Sequence, residues 1–454
     1  MLNLETISTI LDEFGGAPIS VHGEYCLNTR HKDAGCRLCV DACPTEAIEL
    51  RSAISPPPAP PVKVATSQPV GPQQPHLDAE RCVSCGLCLH SCPTDVFTQR
   101  GVPEGNLVQA ISLLSENAVS LVCPQHGDPK MTAAPVDAVV RHKRCLASLS
   151  VSHLLEMSES GRRTIWLDDS PCAECPIGRA QPAIARTAET TNHLLEAFGS
   201  PAAIHTHTSH RDGLQPKPVP RPVIDGDQPA VSRRSFFTAL SQLGRRTAAT
   251  VIAEALPAPD TRGPVPVDQR LPHRIPASRE RLYSQLKRLG TPSEAPVDSA
   301  GIPYADVIVD GDACSACRLC ARFCPTGALR FVADEESFVL YFRSTICIDC
   351  GICAVACPED AVSFGPQLSP AALIDNEPRP LVAGNLTPCA GCGELTAAPP
   401  NGVGEADSGL LCHVCRQGTL PAAPLKDTAG LIADLLKGLP DTDSSTDHEL
   451  EQEG

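Results

Sequence analysis

Aromatic side chains are nearly missing: they make up 3% of 454 residues, with a single tryptophan and four tyrosines. That excludes cores centred on large rings, which in ordinary domains carry much of the buried area. No run of about 18 consecutive apolar residues occurs, so no membrane span is expected. Basic residues are outnumbered, 37 against 53 acidic ones for a formal net charge of −16, and they gather in no single block, so nucleic acid is not an expected partner. The opening MLNLETISTILDEFGG carries Glu5, Asp12 and Glu13 where a secretory signal needs a basic head and an apolar run. The expected compartment is therefore the cytoplasm, whose reducing conditions disfavour disulfides. No G-x-G-x-x-G follows a strand, and there is no P-loop, nucleophile elbow or H-E-x-x-H, so no NAD or flavin site and no catalytic residue can be named.

Cysteine, proline and glycine are what the chain has instead, at 24, 45 and 32 residues. Such a length suggests about three domains. Small domains without a sufficient apolar core are often held by metals or disulfides, and a reducing compartment selects metal. Every cysteine falls into one of six groups of four: 26/36/39/43, 82/85/88/92, 123/145/172/175, 314/317/320/324, 347/350/353/357 and 389/392/412/415. Four thiols are what a tetrahedral ion or an iron–sulfur cube requires.

The phrase CVSCGLCLHSCP at 82 to 93 returns as CSACRLCARFCP at 314 and CIDCGICAVACP at 347. A fourth copy, CLNTRHKDAGCRLCVDACP, begins at Cys26 with its first gap stretched to nine residues. After each CP step comes a short polar turn (TEAI, TDVF, TGAL, EDAV) leading toward a β-prone run, so the expected unit is strand, cysteine loop, a turn or two of helix, strand. Repetition of such a unit means duplicated modules.

The spacing C-x2-C-x2-C-x3-C-P resembles that of the two-cluster [4Fe–4S] ferredoxins, cleanly over about 305 to 368 and with changes over about 20 to 100. The resemblance implies interlocked motifs, in which three cysteines of one motif hold a cluster together with the last cysteine of the other. Carried across, it implies one cluster on Cys314, Cys317, Cys320 and Cys357, and another on Cys347, Cys350, Cys353 and Cys324. In the first half it implies Cys26, Cys36, Cys39 and Cys92 for one and Cys82, Cys85, Cys88 and Cys43 for the other. The stretched loop and the Pro-rich insert depart from the family.

The remaining groups are less regular. Cys123, Cys145 and the Cys172/Cys175 pair each follow an apolar, strand-like run, so a small parallel sheet would bring them to one edge, where α/β folds build sites. The layout loosely resembles the cysteine domain of hydrogenase delta subunits. A fifth Fe–S cluster and a structural zinc both remain open there, with His126 and His142 expected at the surface or behind the ligands rather than among them. Cys389-x2-Cys392 and Cys412-x2-Cys415 have zinc-ribbon spacing; a rubredoxin-like iron uses the same geometry, but the segment lacks shielding aromatics, so zinc is expected, with His413 a bystander.

The expected architecture is α+β. Two ferredoxin-like (βαβ-duplicated) 2[4Fe–4S] domains, at 20–110 and 305–368, flank a small α/β cysteine domain at 111–210. An N-terminal helix covers 1–19, a Pro-rich insert 55–75, and a Pro-rich linker 211–304 with helices near 232–255 and 278–290. A zinc-ribbon-like knuckle at 385–420 precedes a short helix and acidic disordered tail at 421–454. The stretch SRRSFFTALSQLGRR at 232–246 resembles the twin-arginine export motif, yet it is deeply internal and Arg245-Arg246 break its apolar region, so a docking helix is the preferred reading. A similar SRR stretch accompanies some ferredoxin-type accessory proteins of nitrate reductase.

A chain equipped to move electrons, with no site that uses them, reads as an iron–sulfur electron-transfer subunit. Its expected partners are redox proteins, above all a catalytic subunit of molybdopterin or hydrogenase type, and its expected cofactors are four [4Fe–4S] clusters, a possible fifth, and zinc. The alternatives are a stand-alone reductase working at the 123–175 site, or a maturation factor for a redox enzyme.

Overall fold

The computed structural model describes residues 19–52, 72–99, 101–159, 161–201, 203–226, 271–398 and 409–418. The N-terminal helix expected over 1–19 lies outside them save for Ile19, which opens a strand. The SRR segment at 232–255 and the acidic tail lie wholly outside.

The first cysteine repeat builds β1 (Ile19–Val21), α1 (Leu27–Arg30), α2 (Leu38–Ala42), β2 (Ile48–Ser52), β3 (Gln73–Leu77), α3 (Leu87–Ser91) and β4 (Phe97–Gln99). The outer strands β1 and β4 pair antiparallel, as do the inner strands β2 and β3. The end of the expected Pro-rich insert is therefore structured: Gln73–Pro75 lie in β3, with Pro75 opposite Leu50.

The middle unit runs through α4 (Pro103–Ser112), β5 (Ala118–Val122), β6 (Met131–Thr132), β7 (Ala138–Arg141), α5 (Val151–Met157), β8 (Thr164–Leu167), α6 (Gln181–Ala197), β9 (Ile204–Thr206), β10 (Val219–Pro220) and β11 (Val223–Asp225). Five strands form a parallel sheet in the order β11-β7-β5-β8-β9. Buried on both faces, its central strands are apolar runs rather than alternating ones, as AVSLV and TIWL show. Strands β10 and β11 fall where a linker was expected, so the unit continues to about residue 226: β11 adds a parallel edge beside β7, and β10 pairs with β6.

Helix α7 (Ala277–Leu289) follows, and it is a strut rather than linker. Its Leu282 and Leu286 are buried together with Leu155 and Leu194 of the middle unit, with Leu368 at the end of the second repeat and with Leu373 just past it.

That second repeat carries β12 (Val297–Asp298), β13 (Asp306–Val309), α8 (Leu319–Phe323), β14 (Leu329–Ala333), β15 (Ser337–Phe342), α9 (Ile352–Val355), β16 (Val362–Gly365) and β17 (Gln367–Leu368). Its plan matches the first: β13 pairs with β16 and β14 with β15. Then β18 (Arg379–Pro388) adds to β15, β19 (Leu395–Ala397) adds to β18, and α10 (His413–Arg416) closes the described chain.

Candidate metal centres

Each intact cysteine triplet sits on a loop of alternating backbone handedness. The residue two after the first cysteine has positive φ in all three copies, at Ser84 (53°), Ala316 (56°) and Asp349 (49°), and so has the residue four after it, at Gly86 (82°), Arg318 (66°) and Gly351 (69°). Such alternation turns successive N–H groups toward one centre, making a concavity that accepts negative charge. The sulfurs receive those groups: the N–H two residues on donates to Cys85, Cys314, Cys317, Cys347 and Cys350. Gly86 has a further duty, since a Cβ there would stand 2.6 Å from the Ser148 side chain, where the loop presses on the middle unit.

The thiols gather in crossed sets. Cys324 lines one hollow with Cys347, Cys350 and Cys353, and Cys357 lines another with Cys314, Cys317 and Cys320. In the first repeat Cys92 shares a hollow with Cys26, Cys36 and Cys39, while Cys43 faces Cys82, Cys85 and Cys88. The helical turn after each triplet carries the last cysteine away from its own loop and delivers it to the other. Three of the four delivered sulfurs then meet the hydroxyl of the threonine two residues on: Cys43 with Thr45 at 3.7 Å, Cys92 with Thr94 at 3.5 Å and Cys324 with Thr326 at 3.7 Å. The fourth copy has Glu359 there, and its carboxylate accepts from Arg416 of α10.

The stretched loop after Cys26 is closed by a residue that spacing did not single out. Asn28 donates to the Cys36 carbonyl and accepts from the Cys36 N–H, both at 2.8 Å. A buried side-chain amide thus stands in for a backbone pairing and brings Cys26 back beside Cys36. The signal was available, because Asn and Asp habitually bond nearby backbone in loops.

Burial pushes these thiols up, Cys26 and Cys347 to about 11 and Cys39, Cys320 and Cys350 to about 12, with neighbouring thiolates adding to the effect. Four buried sulfurs that cannot ionise together call for a cation among them, and metal binding would displace their protons.

The fifth group also converges. Cys123 follows β5, Cys145 lies four residues past β7, and Cys172 and Cys175 come after β8. All four line one cavity of about 470 Å³, which Cys85 of the first repeat also borders. Burial, with the other thiols, raises Cys145 to about 11 and Cys172 to about 12. Of the two places expected for the histidines, at the surface or behind the thiols, the structure favours the second, and neither histidine lines the cavity. His142 is fully buried, its Nε2 3.1 Å from Ser148 Oγ, and burial lowers it to about 4. His126 is partly buried and donates to Asp168 at 3.0 Å, and His207 meets the same carboxylate at 3.2 Å. No periodicity signalled this His–Asp–His group, whose members are far apart in sequence.

Only the sixth group, among the described residues, brings its sulfurs close enough for a single ion. Cys389, Cys392, Cys412 and Cys415 lie within 4.8 Å of one another, with Cys392 and Cys412 at 3.7 Å. A tetrahedron with metal–sulfur bonds of about 2.3 Å has edges close to that length. Burial raises Cys389, but N–H groups of Cys412, Cys392 and Gly391 outweigh it and hold the thiol down at about 6. None of the other five groups is drawn together so closely among the described residues.

A family model for the 4Fe–4S dicluster domain matches the chain twice, over residues 34–96 and 313–361. Those spans contain both crossed pairs of thiol sets except Cys26, which reaches its hollow from outside the first match. No curated protein and no solved structure matches the chain.

Proposed function

We propose that the chain, which matches the 4Fe–4S dicluster domain over residues 34–96 and 313–361, is a ferredoxin-type protein that relays electrons within or to a larger oxidoreductase. The crossing of ligands between motifs carries the reading, since it ties each pair of sites into one rigid body at close separation. We assign the clusters to Cys26/36/39/92, Cys43/82/85/88, Cys314/317/320/357 and Cys324/347/350/353, with zinc at Cys389/392/412/415 and a further Fe–S centre at Cys123/145/172/175. The chemistry that such clusters supply is one-electron transfer at potentials set by charge, hydrogen bonding and exposure.

The protein's own part is to hold the two repeats together. Arg30, at the end of α1, donates to the carbonyls of Phe323 (2.8 Å), Pro272 (2.9 Å) and Cys324 (3.1 Å), joining the first repeat to the second beside one of the delivered cysteines. His31 packs edge-on against Phe323 with ring centres 4.7 Å apart. Arg274 donates to the Thr94 carbonyl at 3.2 Å, and Ser278 donates to Asp95 at 2.6 Å.

Metal analysis of anaerobically reconstituted protein tests the assignment. At least about sixteen irons and about one zinc per chain are expected, with more iron for the 123–175 set. Fewer than about twelve irons after full reconstitution would exclude it. Reversible reduction by dithionite and reoxidation by a protein acceptor tests the relay, and a chain that loads iron but exchanges no electrons with any acceptor is not one.

A further inference from the structure

Three of the four dicluster sets differ from the 123–175 set in the room around their sulfurs. The hollows lined by the 324/347/350/353 and 314/317/320/357 sets offer about 20 Å³ each, and the one lined by the 26/36/39/92 set about 10 Å³. By the same measure the cavity at Cys123, Cys145, Cys172 and Cys175 offers about 470 Å³. A metal centre of similar size leaves most of that space free, and the volume falls in the range of small-molecule sites.

Its position in the sheet is independent of its size. From β5 the chain passes to β7 on one side and then to β8 on the other, so the strand order reverses at β5. In open parallel sheets ligands bind in the crevice beyond the carboxyl ends of the strands at such a reversal. The segments that leave β5, β7 and β8 are the ones that bear these cysteines.

The lining also has a sign. In a chain of net charge −16, the cavity is bordered by Lys143 and Arg144 and by no carboxylate. Arg144 is partly committed to Glu104, 3.4 Å away, and to Gln99. Lys143 is exposed and makes no ion pair among the described residues. Gln125 and Ser84 add polar groups, while Pro171 and Ile177 add an apolar wall.

We propose that this cavity is a binding site for a small anion, seated beside the thiols of Cys123, Cys145, Cys172 and Cys175 and held by Lys143. The proposal rests on reading those thiols as an Fe–S centre, and it makes this set the one whose four thiols all border a small-molecule site, with Cys85 the single dicluster thiol lining the same cavity.

Isotopically labelled cyanide is a suitable probe, being small, anionic when deprotonated and detectable by its hyperfine coupling to a nearby paramagnet. It is titrated into dithionite-reduced, reconstituted full-length protein, and pulsed EPR is recorded. The expected result is coupling to one signal only, the signal that Cys145→Ser abolishes. Lys143→Glu should raise the concentration needed by about fivefold or more, whereas Lys130→Glu, an exposed cation outside the cavity lining, should leave it unchanged. Unaltered dicluster signals in each variant establish that it has folded. Coupling that survives Cys145→Ser, or no coupling at all, overturns the anion site while leaving the electron-transfer reading intact. Absence of any signal assignable to the four thiols overturns the Fe–S reading of this set, and the anion site with it.

Discussion

Cys324 and Cys357 show how far a residue's chemistry can lie from its sequence neighbours. Cys324 closes the hollow of a triplet that begins at Cys347, so Cys324→Ser should damage that centre and spare the signal of its own motif, because an alkoxide is a poorer ligand for iron than a thiolate. Cys357→Ser should do the reverse. EPR signals assigned beforehand with Cys350→Ser and Cys317→Ser decide the matter, and identical spectra for Cys324→Ser and Cys317→Ser would mean that the motifs are independent. Cys389 supports a second prediction. Its pKa is depressed from 9.0 to about 6, so the stability that its thiolate gives the knuckle is complete above about 9 and lost as pH falls through about 6. Metal release to a chromophoric chelator should therefore accelerate as pH drops below about 6. A rate flat from pH 8 to about 5 would contradict this. The grouping of the thiols was legible in the sequence because the spacing of the cysteines is local and repeated. Asn28, which closes the stretched loop, was not read, since its partner Cys36 is a backbone group that no spacing rule marks.

At the scale of elements, α7 shows what periodicity can and cannot supply. Leu282, Leu286 and Leu289 fall on one face of RIPASRERLYSQLKRLG, so a helix is readable there, but its partners are not, because they come from α5, α6 and the segment past β17. A helix between two Pro-rich stretches reads as linker, and only the fold reveals that Leu282 and Leu286 are buried and Leu289 half-buried. Leu286, with no exposed surface, should then behave as a core residue: Leu286→Ala is expected to cost about 2–5 kcal/mol. Denaturant unfolding followed at Trp166, the single tryptophan, in β8 of the adjoining unit, checks it; an unchanged midpoint would mean that α7 is not part of that cooperative unit. The parallel sheet was legible for the opposite reason. Its strands are continuous apolar runs ending near cysteines, whereas β11, short and set among prolines, carries too weak a pattern to be told from loop.

Across the whole molecule the scarcity of aromatics falls unevenly. In the core of the first repeat, four of the eight buried residues are cysteines, Cys26, Cys39, Cys88 and Cys92, joined by Ile19, Ile48, Val96 and Phe97. The core of the middle unit contains one cysteine, Cys123, among nineteen buried residues, and is otherwise built from Leu, Ile, Val, Ala and Met on the sheet and its flanking helices. The two kinds of core depend on metal to different degrees. Where half the interior is thiol, the apolar area is too small to offset the chain entropy of ordering the loops, so binding the metal supplies the folding free energy. Where the interior is aliphatic, burial alone suffices. Removing iron with a chelator under reducing conditions should therefore unfold the first repeat and leave the parallel sheet standing, with the second repeat, whose core has two cysteines among ten buried residues, less affected than the first. Hydrogen exchange on the stripped protein would show it: amides of β5, β7 and β8 stay protected, while those of β2 and β3 exchange at the rate of an open chain. Global loss of protection would mean that the repeats hold the middle unit together, through contacts such as Gly86 against Ser148 and Arg144 with Gln99, and that the thiol sets and the sheet form one cooperative body.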